Sequence, residues 1–201
     1  MIRNPKIWEI SLLIALCATL CTGLYARAEQ AKLSGELVRL HVVANSDGAA
    51  DQAAKLKVRD SVLSVLTPKL EYTDNIDVAQ KLINDSLPEL QEAAEQSLRV
   101  SGMDYPATAK LCVESYPTRN YDGFSLPAGG YLSLQIILGE GKGHNWWCVV
   151  FPPLCMSSAE DESAFSGLSG DSAGIIRKSD GSYRLKFRIV EFYENLKRVL
   201  P

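Results

Sequence analysis

An apolar run near the N-terminus constrains this chain more than any other feature of its sequence. Residues 10–25 carry no charge; Arg3 and Lys6 precede them, and Ala26, Arg27 and Ala28 follow. A basic start, an apolar middle and a small-x-small end are typical of a secretory signal peptide. The run has 16 residues, whereas an α-helix needs ~20 to cross ~30 Å of hydrocarbon. We therefore predict that residues 1–28 form a signal peptide or N-terminal membrane anchor and that residues 29–201 form one exported domain.

The composition beyond this run is that of an ordinary globular protein. Of the 201 residues, 46% are hydrophobic and 22% are charged, which excludes intrinsic disorder and a multi-span membrane protein. Lys and Arg total 21 against 24 Asp and Glu, so no basic excess indicates a nucleic-acid partner. We expect contact with the membrane only through the N-terminal segment.

Export would place Cys112, Cys148 and Cys155 in an oxidising compartment, where an odd number of thiols is typical of one disulfide and one leftover cysteine. Cys148 and Cys155 are the candidate pair, because they are close in sequence and Pro152 and Pro153 bend the chain between them. A disulfide requires Cα atoms ~4.4–6.8 Å apart, a distance that the sequence does not give. Whether the two are bridged therefore stays open.

The exported part begins with the pattern of a strand, a tight turn and a helix. Residues 36–44 alternate, with Arg39 and His41 on the less apolar face and the core on the other. Residues 45–48 supply turn and capping groups, and helical periodicity runs from about residue 51 to residue 66.

A second helical stretch begins near residue 74. The sequence predicts that it restarts at Ser86, because Ser86 and Glu89 have the spacing of a capping box and Pro88 fits a first turn. Gly102 is the predicted stop.

After this stretch the apolar period changes from helical to two. From residue 109 the alternation predicts a strand that points Cys112 away from the core, and residues 116–124 indicate a turn-rich connection or hairpin. Residues 131–138 fit a short helix or a strand, and we favour the helix. Residues 147–151 indicate a buried strand, and the Ser, Gly and Asp content of residues 157–180 indicates a long mobile loop.

These segregated elements predict an α+β fold. We expect a small sheet, two or three helices packed on it, and a C-terminal helix.

Two cations fall among apolar positions of the first predicted helix. Lys55 and Arg59 follow Asp51 at intervals of four residues. They could form a charge-paired patch with Asp51, Asp47 or His41 and so present a recognition surface. Alternatively, their stems lie along apolar surface and Asp51 and Lys55 form a modest surface pair.

Trp146 and Trp147 are adjacent in a predicted strand, so their side chains must point to opposite faces. One tryptophan is then in the core, and the other covers a second layer or faces a partner.

A thiol hydrolase acting on cell-envelope material is the enzymatic alternative, because His144 lies four residues before Cys148. A buried strand is a poor place for a reactive thiol, since burial raises its pKa and blocks access. His41 and His144 are the two histidines in the chain, and neither has the spacing of a zinc site. We expect no cofactor, no metal and no enzymatic activity.

Three blocks carry a resemblance to a known family: residues 39–47 (RLHVVANSD), residues 51–60 (DQAAKLKVRD) and residues 145–155 (NWWCVVFPPLC). The chain resembles the stage II sporulation protein R family of endospore-forming Firmicutes. The resemblance implies a signalling protein made in the forespore and exported into the space between the two sporangial membranes. There it would activate a membrane-embedded aspartic protease that removes the pro-sequence of sigma factor E.

The resemblance supplies no catalytic residues and favours a non-enzymatic ligand of the protease's outward face. The residues that we predict to contact the protease are Arg39, His41, Lys55, Arg59, Trp146 and Trp147.

Overall fold

The computed structural model describes residues 6–121 and 124–152, and every structural statement below concerns that part of the chain. Its elements are α1 (Ile7–Gly35), β1 (Val38–Val43), α2 (Ala49–Leu70), α3 (Ile76–Val100), β2 (Ala107–Tyr116), β3 (Arg119–Tyr121), β4 (Phe124–Leu126), β5 (Gly129–Leu138) and β6 (Asn145–Phe151). The mixture of helices with a small sheet confirms the α+β class. The predicted loop over residues 157–180 and the predicted C-terminal helix lie outside the described residues.

Helix α1 runs without interruption through the predicted cleavage site. Its N-terminal part exposes leucine and isoleucine side chains, whereas Ala26 and Leu33 are buried and the last turns contact β5. Among the described helices, α1 is the one long and apolar enough to cross a membrane, and a signal segment has the same composition. The helix therefore fits the predicted signal or anchor.

Four strands form the main sheet in the order β2-β5-β1-β6. Strand β1 is central, parallel to β5 and antiparallel to β6, and β2 is antiparallel to β5. Strands β3 and β4 form a separate antiparallel pair. The predicted strands over residues 36–44 and 147–151 and the strand from residue 109 are thus confirmed. Of the connection or hairpin predicted over residues 116–124, the structure forms the hairpin, with its second strand ending at Leu126.

Helices α2 and α3 pack against each other and against one face of this sheet. Strand β1 contributes alternate residues to the shared core and the helices contribute their apolar stripes, since period two and period 3.6 each keep one face apolar. This core includes Val38, Leu40, Val42, Val58, Val62, Leu66, Ile83, Leu90, Leu98, Leu134 and Ile136.

The predicted restart at Ser86 is wrong, because α3 is one continuous helix. Asn75 caps it by accepting hydrogen bonds from the amides of Asp77 and Val78. Ser86 and Glu89 instead bind Lys69 of α2, with 3.1 Å between Lys69 Nζ and Ser86 Oγ.

Proline is also tolerated inside both helices that pack on the sheet, α2 and α3. Pro88 lies within α3, and α2 continues through Pro68 to Leu70, beyond the predicted end at residue 66. A proline inside a helix costs about 3 kcal/mol, which the packing of the two helices on each other and on the sheet offsets. Gly102, with φ of +75°, follows the end of α3 as predicted.

The predicted helix over residues 131–138 is also wrong, since these residues belong to β5. Leu134 and Ile136 face the helices, whereas Tyr131, Ser133 and Gln135 alternate with them on the opposite face. Strand β5 forms backbone hydrogen bonds to β1 on one side and to β2 on the other. A helix at the same place would leave the facing edges of β1 and β2 without these hydrogen bonds.

Candidate functional site

The sheet separates the six predicted contact residues into two groups. Lys55, Arg59 and Trp146 lie on the helix side. Arg39, His41 and Trp147 lie on the opposite face, which we call the open face; Glu114, Tyr116, Ser133 and Gln135 also line it. The two adjacent tryptophans therefore point to opposite faces of β6, as the strand period predicts.

Arg39 is fully buried in a cage of tyrosine rings. Its guanidinium carbon lies 3.8 Å from the ring centroid of Tyr116 and 5.0 Å from that of Tyr131. Its Nη2 donates a hydrogen bond to the hydroxyl of Tyr121 at 2.5 Å. Nε and Nη1 have no hydrogen-bond partner among the described residues. Through its bond to Tyr121, Arg39 holds strand β3 against the sheet. Because Arg39 is 0% exposed, it contributes no surface of its own.

The tyrosines of this cage are held by further hydrogen bonds. The hydroxyls of Tyr116 and Ser133 lie 2.7 Å apart, and Tyr131 donates to the carbonyl of Pro127 at 2.7 Å. Burial raises the pKa of both phenols far above the ordinary value, so both stay neutral beside the buried cation. The cage is a packing device that attracts Arg39 through its ring faces.

His41 occupies the next position along β1 on the open face. Its Nδ1 lies 3.0 Å from Glu114 Oε1, and Gln135 Nε2 donates to the same oxygen at 2.6 Å. Its Nε2 is buried without a partner among the described residues. The ring centroids of His41 and Trp147 are 5.6 Å apart, so the histidine is held on one side by the side chain of Glu114 and on another by an aromatic ring.

Glu114 and Gln135 are not among the six residues predicted from the sequence. They lie 73 and 94 residues from His41 along the chain, and only the register of β2 and β5 brings them to it. The period-two pattern of β2 puts Glu114 on the same face as Cys112. That alternation was the one available signal.

The partly exposed portion of the open face is formed by Trp147 and Arg119. The guanidinium carbon of Arg119 lies 3.9 Å from the ring centroid of Trp147. Both residues have intermediate exposure, as have Glu114 and Gln135, which contact His41 on the same face. An aromatic ring, a cation and an anion are thus available together at a protein surface.

On the helix side, Lys55 and Arg59 have different surroundings. Lys55 is buried and its Nζ donates to Gln52 Oε1 at 2.7 Å and to the carbonyl of His144 at 3.0 Å. Burial lowers its pKa. Arg59 lies over Trp146, with 4.4 Å between the guanidinium carbon and the ring centroid.

Asp51 binds the turn between β1 and α2 rather than Lys55. Its carboxylate accepts hydrogen bonds from Ser46 Oγ at 2.6 Å, Tyr105 Oη at 2.7 Å and Asn45 Nδ2 at 2.9 Å. These bonds, Ser46 first, lower the pKa of Asp51. Asp51 and Lys55 form no direct pair among the described contacts, so the two cations do not assemble the predicted patch with Asp51 and His41.

His144 and Cys148, the residues of the alternative thiol hydrolase, have different surroundings. Asp47 Oδ1 accepts hydrogen bonds from the backbone amide of His144 at 2.6 Å and contacts its Nδ1 at 2.5 Å, and these contacts lower the pKa of Asp47. Cys148 lies opposite Leu40 in the helix-side core, where it is 6% exposed and disulfide-bonded. A buried disulfide sulfur is not a thiolate nucleophile, so nothing in this geometry favours the hydrolase.

The predicted bridge to Cys155 stays a prediction, because Cys155 lies outside the described residues. Cys112 carries a free thiol of intermediate exposure on the open face. Burial and, secondarily, Glu114 raise its pKa. The described residues contain no group of three or more His, Cys, Asp or Glu side chains placed to hold a metal ion.

Comparison with known proteins identifies the family. The family model described as stage II sporulation protein R matches residues 34–161. This chain belongs to the stage II sporulation protein R family. A curated relative, stage II sporulation protein R of Bacillus subtilis (strain 168), is 37% identical over 120 residues, which cover 60% of this chain and 54% of the relative. The chain thus spans about half the length of that relative. No solved structure matches the chain.

The matched region includes all strands of the sheet and both helices packed on it. The open face, with Arg39, His41 and Trp147, and the helix side, with Lys55, Arg59 and Trp146, are therefore both parts of the family's shared domain.

Proposed function

We propose that this protein is an intercompartmental signal of sporulation, exported from the forespore into the intermembrane space. There it activates the membrane-embedded aspartic protease that processes pro-sigma-E, by binding the protease's extracytoplasmic face without catalysing a reaction. Membership of the stage II sporulation protein R family carries the proposal. The apolar helix α1 supports it, because its composition suits export or anchoring outside the cytoplasm.

The open face is the surface that we assign to the protease. A ligand shifts a conformational equilibrium only by its differential affinity for the two states, so the contact must be specific. Trp147 and Arg119 offer a partly exposed aromatic and cationic pair, and such residues are enriched among those that dominate binding energy. The ring of His41 lies against Trp147, and Glu114 holds His41 in place.

The chain provides a matched control for this assignment. Arg119 over Trp147 on the open face and Arg59 over Trp146 on the helix side are two arginine–tryptophan contacts of similar distance, 3.9 and 4.4 Å. Removing either arginine should have a similar cost in folding. Only the loss of Arg119 should reduce binding to the protease.

The experiment is reconstitution of the full chain in vesicles with the protease and pro-sigma-E, with cleavage scored over time. Addition of the chain should switch on cleavage, Arg119→Ala should slow it at least about tenfold, a loss of roughly 1.4 kcal/mol of binding, and Arg59→Ala should leave it unchanged. Cleavage that does not depend on the added chain would overturn the proposal. Equal activity of the two variants would remove the open face as the contact surface.

A further inference from the structure

Strand β2 is an edge strand whose outer side carries no other strand among the described residues. The amide of Ala109 points outward, because it donates a hydrogen bond to the side chain of Gln91 in α3 at 3.3 Å. Antiparallel pairing alternates along a strand, so the amides and carbonyls of Leu111 and Val113 point outward as well. Outward backbone groups of this kind can accept another strand.

The side chains along β2 are complementary to those of a second, antiparallel copy of β2. If a second copy of β2 is laid antiparallel and centred on Cys112, each Lys110 stands opposite a Glu114, and each Leu111 stands opposite a Val113. Val113 is 75% exposed, an unusual position for a large apolar side chain. Lys110 is exposed and forms no ion pair with a described residue, whereas Glu114 lies on the same face of the strand.

The backbone supports the same register. Leu111 and Val113, which point their backbone groups outward, would form the hydrogen-bonded pairs. Cys112 would face Cys112 of the second copy across a non-hydrogen-bonded position, where Cα atoms approach to about 4.5 Å. This position brings the two free thiols into the range in which a disulfide can be formed.

We propose that two copies of this chain associate through β2, with a twofold axis at Cys112 that joins two four-stranded sheets into one. The partner is a second copy because the opposed pairs nearest the axis are complementary: Lys110 against the carboxylate of Glu114, Leu111 against Val113 and thiol against thiol. The contact buries Val113. It places the open faces of the two copies, each with its Trp147 and Arg119, on one side of the joined sheet. This inference does not depend on the proposed function.

The test uses the full chain with Cys17→Ser and Cys21→Ser, which leaves Cys112 as the free thiol among the described cysteines. The probe is oxidised glutathione, which accepts two electrons and two protons as two Cys112 thiols form one disulfide, and leaves as two molecules of reduced glutathione. We expect a covalent dimer of twice 22.0 kDa on a non-reducing gel, absent in Cys112→Ser.

A shifted thiol checks the register. In a chain carrying Lys110→Cys and Cys112→Ser, the two new thiols would lie four residues apart along the paired strands, roughly 14 Å, and no covalent dimer should form. A cross-link from this variant as strong as that from Cys112 would overturn the register.

Sedimentation of the reduced full chain checks the association without any covalent bond. Val113→Lys should raise the dimer dissociation constant at least about tenfold, whereas Val100→Lys, at an equally exposed valine at the end of α3, should leave it unchanged. A chain that stays monomeric at all concentrations and forms no Cys112 cross-link would overturn the proposal. Occupation of the edge by another segment of the same chain would give that same negative result.

Discussion

The guanidinium carbon of Arg39 lies 3.8 Å from the ring centroid of Tyr116, on the face of the sheet opposite α2 and α3. Arg39 is on the central strand and Tyr116 ends an edge strand, so the contact spans the sheet across β5. A buried cation without a carboxylate partner among the described residues depends on ring faces and on Tyr121 for its stabilisation. The cage therefore fixes where strand β3, and with it Arg119, lies on the open face.

Tyr121→Phe tests this role of the cage. The substitution removes the hydroxyl that accepts from Arg39 Nη2 and keeps the ring. Loss of a hydrogen bond to a buried charged group should lower the free energy of unfolding by about 1–3 kcal/mol, measured by urea denaturation of the full chain in detergent. Tyr72→Phe is the control, because Tyr72 is 90% exposed. Equal stability of the two variants would contradict the role given to Tyr121.

The sequence predicts which face of a strand each side chain occupies, but it does not predict the contacts between strands. Arg39 and His41 share a face, and the two tryptophans occupy opposite faces, because period two is a local property of the chain. Tyr121 and Glu114 could not be found in this way. They meet β1 only through the register of strands that are 73 or more residues away along the chain.

The two wrong assignments have related causes. Residues 131–138 satisfy both a helical and a strand period, and pairing with β1 and β2 on either side decides for the strand. Ser86 and Glu89 carry a local capping signal, which Lys69 of the neighbouring helix overrides by binding both side chains. In each case a tertiary contact selects between two locally acceptable structures.

Asp51→Asn should reduce stability in a way that depends on pH. Its three hydrogen bonds hold the pKa of the folded-state carboxyl below the ordinary value, so the unfolded chain binds a proton more readily. The stabilisation is then complete above the unfolded pKa of about 3.9 and is lost as the pH falls through the lower folded value. At pH 7 the variant should lose about 0.5–1.5 kcal/mol.

The measurement is urea denaturation of both chains between pH 7 and pH 3. The difference between them should shrink as the pH falls below about 4. Asp74→Asn, at an exposed carboxylate without a described hydrogen bond, should leave the free energy of unfolding at pH 7 unchanged. A constant difference across this range would mean that the ionised form of Asp51 is not what the turn requires.

Gly143→Ala should disturb the junction between the β5–β6 connection and the turn after β1. The amide of Gly143 donates to the carbonyl of Ala44 at 2.9 Å, so the two segments are already in contact. An added Cβ would lie 2.9 Å from Ala44 Cβ and closer still to the carbonyl of Ser46. Because neither segment can withdraw without breaking hydrogen bonds, we expect a loss of about 1–3 kcal/mol.

Thermal unfolding of the full chain checks this steric argument. Gly35→Ala is the matched control, because a Cβ at Gly35 has no neighbour within 4 Å. Gly35→Ala should not lower the unfolding temperature, because alanine at an unhindered helical position is neutral or stabilising, whereas Gly143→Ala should lower it by several degrees. A tolerated alanine at residue 143 would show that the turn over residues 45–48 is free to move.

The contact between Arg59 and Trp146 should be worth little in stability and nothing in signalling. An arginine over a partly exposed tryptophan contributes about 0.5–1 kcal/mol, and the additional pair with Asp60, 2.7 Å from Arg59 Nη2 to Asp60 Oδ1, lies at the surface. A double-mutant cycle of Arg59→Ala and Trp146→Leu, followed by urea denaturation, should give a coupling energy in that range. The same two variants should activate pro-sigma-E cleavage normally, because both side chains lie on the helix side. Loss of activation without loss of stability would instead move the protease contact from the open face to this side of the sheet.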